Sequence, residues 1–477
     1  MQTTSLMRAS AGSFSTQLLR ARAVLFTLLF CFGCTVKTAA YAVLAHETII
    51  DAVWDSHLRP LLLKRFPHTD LDELREAHGY AYGGAIIQDI GYYPHGSHFI
   101  TGLMHYCRSG DFILALLRDS QNVNEYAFAL GALSHYAADN DGHRLGTNRA
   151  VPILYPRLQK KYGTFVTYEE DPLAHIKTEF GFDVLEVAKG RYAPDAYHDF
   201  IGFGVAQRLL DQAFQETYGL QLRNVLTDEE KAIGSYRRGV SKQIPRATRI
   251  AWALKKDEIQ SDQPGLTKRR FLYNVSRTSY EKQWGRDYQP PTFGEKSLAF
   301  LWRLVPKFGP LKVLQFKTPT PPTERMFETS FNAALDGYRG LLTDVNGGTL
   351  ALPNDNFDVG AATPLGQYSL NDEVHVKLLD VLAKQNFAGI DLQLRAELLD
   401  FFSDANTPNA LRKKPTEWAR LQAEVEQLKT APPAETAAFG ESPHFFRGMP
   451  CVRDSSGSAH LATMPLTESG CSTVPGR

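Results

Sequence analysis

The chain carries no excess charge of either sign, with 52 lysines and arginines set against 52 aspartates and glutamates. Without a net field there is no long-range pull toward nucleic acid or an anionic membrane, so partner choice must come from a local site. Cysteine is scarce too. Cys31, Cys34, Cys107, Cys451 and Cys471 are too few for a disulfide framework. The His-Glu-x-x-His element of single-zinc proteases is missing, since His46-Glu47 runs on into Thr48-Ile49-Ile50. Strand-like alternation is scarce between residues 41 and 243, which therefore read as all-α. The apolar run Ala23 to Val36 is too short to span a membrane comfortably.

That run reads instead as the centre of a signal peptide, with Arg8, Arg20 and Arg22 before it and Lys37-Thr38-Ala39-Ala40 after it. Small residues at Thr38 and Ala40 place the expected cleavage after Ala40. Tyr41 would then begin a secreted or periplasmic mature chain. Cys31-Phe32-Gly33 ahead of Cys34 departs from a lipid-attachment box, which ranks a lipoprotein behind simple secretion. After cleavage Cys107 remains as an apolar core candidate, and Cys451 and Cys471 as the pair the tail could form.

A chain of 477 residues with 43% apolar content can bury a large core. Five segments are expected: the leader 1–40, a catalytic helical domain 41–243, a basic and aromatic region 244–322, a C-terminal helical region 323–430 and a flexible tail 431–477. Helices are predicted over Thr48 to Phe66, around Phe112 to Leu117, and over Glu125 to Ala138, Glu169 to Ala188, Gly204 to Tyr218, Glu324 to Leu342 and Asn371 to Phe402. Lys317 to Pro322, with three prolines, reads as a linker, and a Gly, Asn and Asp-rich loop is expected near Asp344 to Gly360.

The chemistry lies in the histidines. Of fourteen, only His198, His375, His444 and His460 fall beyond His175. His135, Asp139 and His143 stand four residues apart, and His175 and Glu179 repeat the step, so each set shares a helix face. A single such pair is more often a surface contact than a metal site, but clustering weakens that explanation. Imidazole and carboxylate without thiolate suit zinc; magnesium or calcium would want oxygen alone. His46, Asp89, His98 and His105 add further donors, more than one four-coordinate ion can take, so several ions are expected. Zinc acidifies a bound water and, in pairs, can hold the attacking and leaving oxygens of an in-line displacement. Phosphoester hydrolysis is the reaction that needs this.

The ordered series of ligands resembles the zinc-dependent phospholipases C of bacteria and their relatives, the fungal single-strand nucleases that also act as nucleotidases. The resemblance covers about Tyr41 to Asp183 and implies an all-α bundle holding up to three zinc ions. It implies one ion on Asp89, His105, His135 and Asp139, a second on His143, His175 and Glu179, and a third on the Tyr41 amino group and carbonyl, His46 and a bridging Asp139. Tyr41 precedes His46 by the interval that separates the terminal tryptophan and histidine of the nucleases. Asp139 and His143 are four residues apart, where better-known members have six. His105 is the expected upstream ligand because its spacing from Asp89 is nearer that of the phospholipases; His98 is the other candidate.

An exported, zinc-dependent phosphoester hydrolase of phospholipase C type is thus expected, with Asp89 as base or water-orienting group. Its partners would be a phosphoester substrate, phospholipid by the family's name, and a membrane surface touched transiently; no nucleic-acid partner and no transmembrane helix in the mature chain are expected. The alternatives are a nuclease or nucleotidase on the same zinc site, and an exported zinc-binding protein without catalysis.

Overall fold

Apolar residues at three- and four-residue spacing form helices throughout, and no β-strand occurs among the described residues beyond an isolated antiparallel bridge between Asn356 and Ala361. The fold is all-α. The computed structural model describes residues 43–189, 203–244, 247–248, 250–251, 313, 315–388, 390–403 and 413–432. Tyr41, the expected leader, most of the basic and aromatic region, Cys451 and Cys471 lie outside them.

The first helices are α1 (Val43–Val53), α2 (Arg59–Arg65), α3 (Leu71–Gly84), α4 (His98–Tyr106), α5 (Ser109–Asp119) and α6 (Val123–Asp141). Next come α7 (Asn148–Leu154), α8 (Pro156–Tyr162), α9 (Pro172–Ala188), α10 (Gln207–Tyr218), α11 (Leu222–Val225) and α12 (Glu229–Arg238). The last four are α13 (Pro321–Gly347), α14 (Ser369–Lys384), α15 (Leu392–Phe401) and α16 (Pro415–Thr430). Among the described residues no helix is long and apolar enough to cross a membrane.

Local chemistry sets several ends. Asp70 caps α3 through a reciprocal box with Glu73. Thr320 caps α13, and Pro321 and Pro322, expected in a linker, form its first turn, where a missing N–H costs nothing. The single helix expected over Asn371 to Phe402 is two, broken where Asn386 and Phe387 turn left-handed at φ 51° and 56°. The helix expected from Thr48 to Phe66 is α1 and α2 joined by a π turn, Trp54–Leu58.

At the centre runs α6, buried on every side from Glu125 to Asp139 because Ala, Leu and Phe line all its faces. It touches α3 backbone to backbone: a Cβ on Gly131 would lie 2.1 Å from the carbonyl oxygen of Ala81. On another side lies α13, whose Tyr338 hydroxyl donates to the Leu130 carbonyl at 2.8 Å. Phe327, Phe331 and Tyr338 of α13 and Leu378, Leu379 and Leu382 of α14 share one core with α1 and α6. Cys107 is free and buried, and burial pushes its thiol up to about 12, so it acts as a small apolar residue.

Candidate metal centre

Six elements converge on one buried cluster. α1 supplies His46, a 3-10 turn (Ile87–Tyr92) Asp89, α4 His105, α6 His135 and Asp139, a π turn (Gly142–Thr147) His143, and α9 His175 and Glu179. None of the eight is more than 3% exposed.

Asp139 sits among four imidazoles. Its Oδ2 lies 3.0 Å from His135 Nε2 and 3.4 Å from His105 Nε2; its Oδ1 lies 3.4 Å from His46 Nε2 and 3.7 Å from His143 Nε2. Asp89 Oδ1 is 3.4 Å from the same His105 nitrogen. On the other side, His143 Nε2 is 3.8 Å and His175 Nδ1 3.0 Å from Glu179 Oε1. The rings of His46 and His135 are stacked with centroids 4.5 Å apart.

Backbone carbonyls aim two of these rings. Nδ1 of His135 donates to the Ala85 carbonyl, and Nδ1 of His105 to that of Thr101, each at 2.9 Å. Both therefore turn Nε2 toward the carboxylates, the usual outer support of a ligating imidazole. The Ala85 carbonyl reaches His135 because glycines bring α3 and α6 so close.

Such a cluster is costly without a cation. Both oxygens of Asp89 and of Asp139, Glu179 Oε1 and His175 Nδ1 are buried without a hydrogen-bond partner. Three groups, His46–Asp89–His135, His105–His135–Asp139 and His143–His175–Glu179, each bring one donor atom per residue within 4.8 Å of the others. A tetrahedral ion with ligands at ~2.1 Å separates its donors by about 3.4 Å, the scale of the separations observed. The donor set fits zinc.

The electrostatics agree. Burial alone would raise the Asp139 carboxyl, but His135, His143 and His105 hold it well below the ordinary carboxylate range. Burial would lower His105, yet Asp139 and Asp89 push it up to about 10; His143, against the same burial, is pushed up to about 9 by Asp139, Asp358 and Glu179. Asp89 is raised, because burial outweighs His105 and His135. His46 is lowered by burial and by His135. The carboxylates hold protons on imidazoles where a divalent cation would otherwise neutralise them.

Residues 45–228 match the profile of a family described as zinc dependent phospholipase C. This segment belongs to that family. No curated protein and no solved structure matches the chain. The phospholipase C segment holds His46, Asp89, His105, His135, Asp139, His143, His175 and Glu179; Tyr41 precedes it and lies outside the described residues.

Other polar side chains of the same stretch of sequence differ in where they sit. His98 is exposed at the start of α4 with its ring against Tyr92, in none of the three groups. Asp141 pairs with Arg144 at 2.6 Å, away from the imidazoles. Glu125 pairs with Arg208. Asn148, by contrast, reaches the cluster: its Oδ1 accepts from His175 Nε2 at 2.8 Å. Sequence reasoning missed Asp358, whose Oδ1 lies 3.2 Å from His143 Nδ1. It stands in the loop read only as turn-forming, and no helical spacing marks it.

Proposed function

We propose that the chain is an exported, zinc-dependent phosphoester hydrolase of phospholipase C type, with phospholipid as substrate class. The observation that supports this most is the set of three buried donor groups, two of them sharing His135, inside a segment of the zinc-dependent phospholipase C family. Asp89, His105, His135 and Asp139 would hold one ion, His143, His175 and Glu179 a second, and His46 with Asp139 and the amino end of Tyr41 a third. Zinc bound there supplies Lewis acidity toward phosphoryl oxygens and a water acidified to near-neutral pKa.

The residues divide the remaining work. Asp139, facing His46, His105, His135 and His143, fixes the spacing of the groups. Asp89 carries a raised pKa and an Oδ2 without a hydrogen-bond partner, which suits it to orient the attacking water and accept its proton. Burial of the cluster excludes bulk water and strengthens each charge interaction.

The test is hydrolysis by the mature, zinc-loaded chain of short-chain phosphatidylcholine, set beside mononucleotides and single-stranded DNA. Release of phosphocholine supports the reading. Turnover of the nucleotides alone would replace it with a nuclease on the same site, and full zinc binding with no turnover would leave a non-catalytic zinc protein.

A further inference from the structure

The family-matched segment ends at residue 228, yet one carboxylate against the metal cluster comes from far beyond it. Asp358 lies in the loop between α13 and α14 and is 2% exposed. Its Oδ1 is 3.2 Å from His143 Nδ1, and its Oδ2 accepts from the hydroxyls of Tyr106 at 2.8 Å and Tyr368 at 2.5 Å. Its own carbonyl accepts from Asn148 Nδ2 at 2.6 Å, and the same Asn148 amide receives His175 Nε2. Asn356 Oδ1 accepts from the Asp358 amide at 3.0 Å, which fixes the backbone.

We propose that Asp358 is a positioning residue of the metal centre, holding His143 through Nδ1 and His175 through Asn148, so that the C-terminal helical region completes a site whose ligands all lie in the N-terminal half. An imidazole whose Nδ1 faces a carboxylate, as His143 faces Asp358 in a 3.2 Å charge contact, presents Nε2 as its lone pair, and here that nitrogen faces Asp139 and Glu179. In His175 the roles reverse: Nε2 is tied to Asn148 and Nδ1 faces Glu179. The two ligands of one ion thus take opposite tautomers, and the Asp358–Asn148 pair sets both. The hydroxyls of Tyr106 and Tyr368 keep the second carboxylate oxygen from turning toward the cluster and competing as a ligand.

This inference rests on the zinc reading of the site, and its test separates the two. Zinc content and affinity, by mass spectrometry and competition with a chelator, would be measured for the full mature chain and for Asp358→Ala, Asp358→Asn and Tyr368→Phe. The visible spectrum of the cobalt(II)-substituted proteins and the melting temperature of the metal-free ones would be recorded beside them. Asp358→Ala is expected to weaken the ion held by His143, His175 and Glu179 about 10- to 100-fold and to shift the cobalt spectrum. Asp358→Asn, which keeps an acceptor for Nδ1, should recover most of the affinity, and Tyr368→Phe, the variant closest to wild-type packing, should show a smaller loss. A fall in metal-free melting temperature with affinity and spectrum unchanged would overturn the proposal and leave the zinc reading standing. Absence of zinc from the wild-type chain would overturn both.

Discussion

Asp139 Oδ2 lies 3.0 Å from Nε2 of His135, the residue one turn earlier on the same helix. Because the other oxygen faces His46 and His143, one carboxylate serves several ion positions. Asp139→Ala is expected to remove more than one zinc per chain and to lower phosphatidylcholine hydrolysis by more than about 100-fold, beyond the usual effect of losing an outer partner of a ligand. Metal analysis and initial rates at saturating zinc check both parts; loss of only one ion would argue against the shared role.

Metal removal should weaken the fold itself. Without a cation the cluster keeps Asp89, Asp139 and Glu179 buried against each other's fields. Chelator is therefore expected to lower the melting temperature, and excess zinc to restore it, whereas magnesium, which favours all-oxygen sites, should not. Thermal unfolding followed by circular dichroism decides this, and an unchanged melting temperature would contradict it.

Zinc uptake should release protons. In the metal-free chain His105 and His143, raised to about 10 and about 9, are charged at pH 7.5 and must lose a proton each to ligate. Calorimetry in buffers of different ionisation heat is expected to show release of about two protons. The same shifts give the sign for metal-free stability: their contribution is complete below the unfolded value of 6.5 and is lost as pH rises through about 9 to 10.

Another histidine, outside the cluster, acts in the opposite sense. His375 of α14 stacks on Phe401 of α15 with centroids 3.7 Å apart, and burial lowers its pKa from 6.5 to about 4. Stability is unaffected above 6.5 and falls as pH drops toward 4, because the unfolded chain takes up the proton first. The shift corresponds to about 3 kcal/mol for a sealed ring and less for this partly exposed one. Denaturant unfolding at pH 7.5 and pH 4 should show a smaller acid loss in His375→Phe than in the wild type.

The terminus proposed at Tyr41 offers another test. Helix α1 begins at Val43, three residues before His46, and the proposed third ion takes the amino group of a chain that begins at Tyr41. A chain beginning at Tyr41 is expected to hold about three zincs, and one with an extra residue before Tyr41 about two. Equal contents in the two would remove the terminal amine from the ligand set.

Much of the cluster's proximity could be read from spacing, because residues four apart share a helix face. His135 with Asp139 and His175 with Glu179 meet at 3.0 Å for that reason. His143 follows less simply: the helix widens into a π turn at Gly142, and the ring comes to face Asp139 and Glu179 together. Asp89 and His105 have no period linking them to α6; residue type made them candidate donors, and only the ordered resemblance assigned them to an ion. Asp358 left no mark. Its contact with the cluster is made across the fold by a loop whose Asn, Asp and Gly content signals a turn and nothing more. The break at Asn386 and Phe387 was hidden for the opposite reason, since neither residue interrupts the apolar pattern on either side.

The hydrogen bond between Asn148 and Asp358 spans 210 residues of chain. During synthesis the histidine-bearing helices emerge long before their last support, so an ion captured early meets an unfinished cage. Loop-closure entropy makes such distant contacts late events. Final docking of α13 and α14 would then act as a latch, and the full metal affinity proposed for the site would belong to the completed chain and to none of its nascent forms.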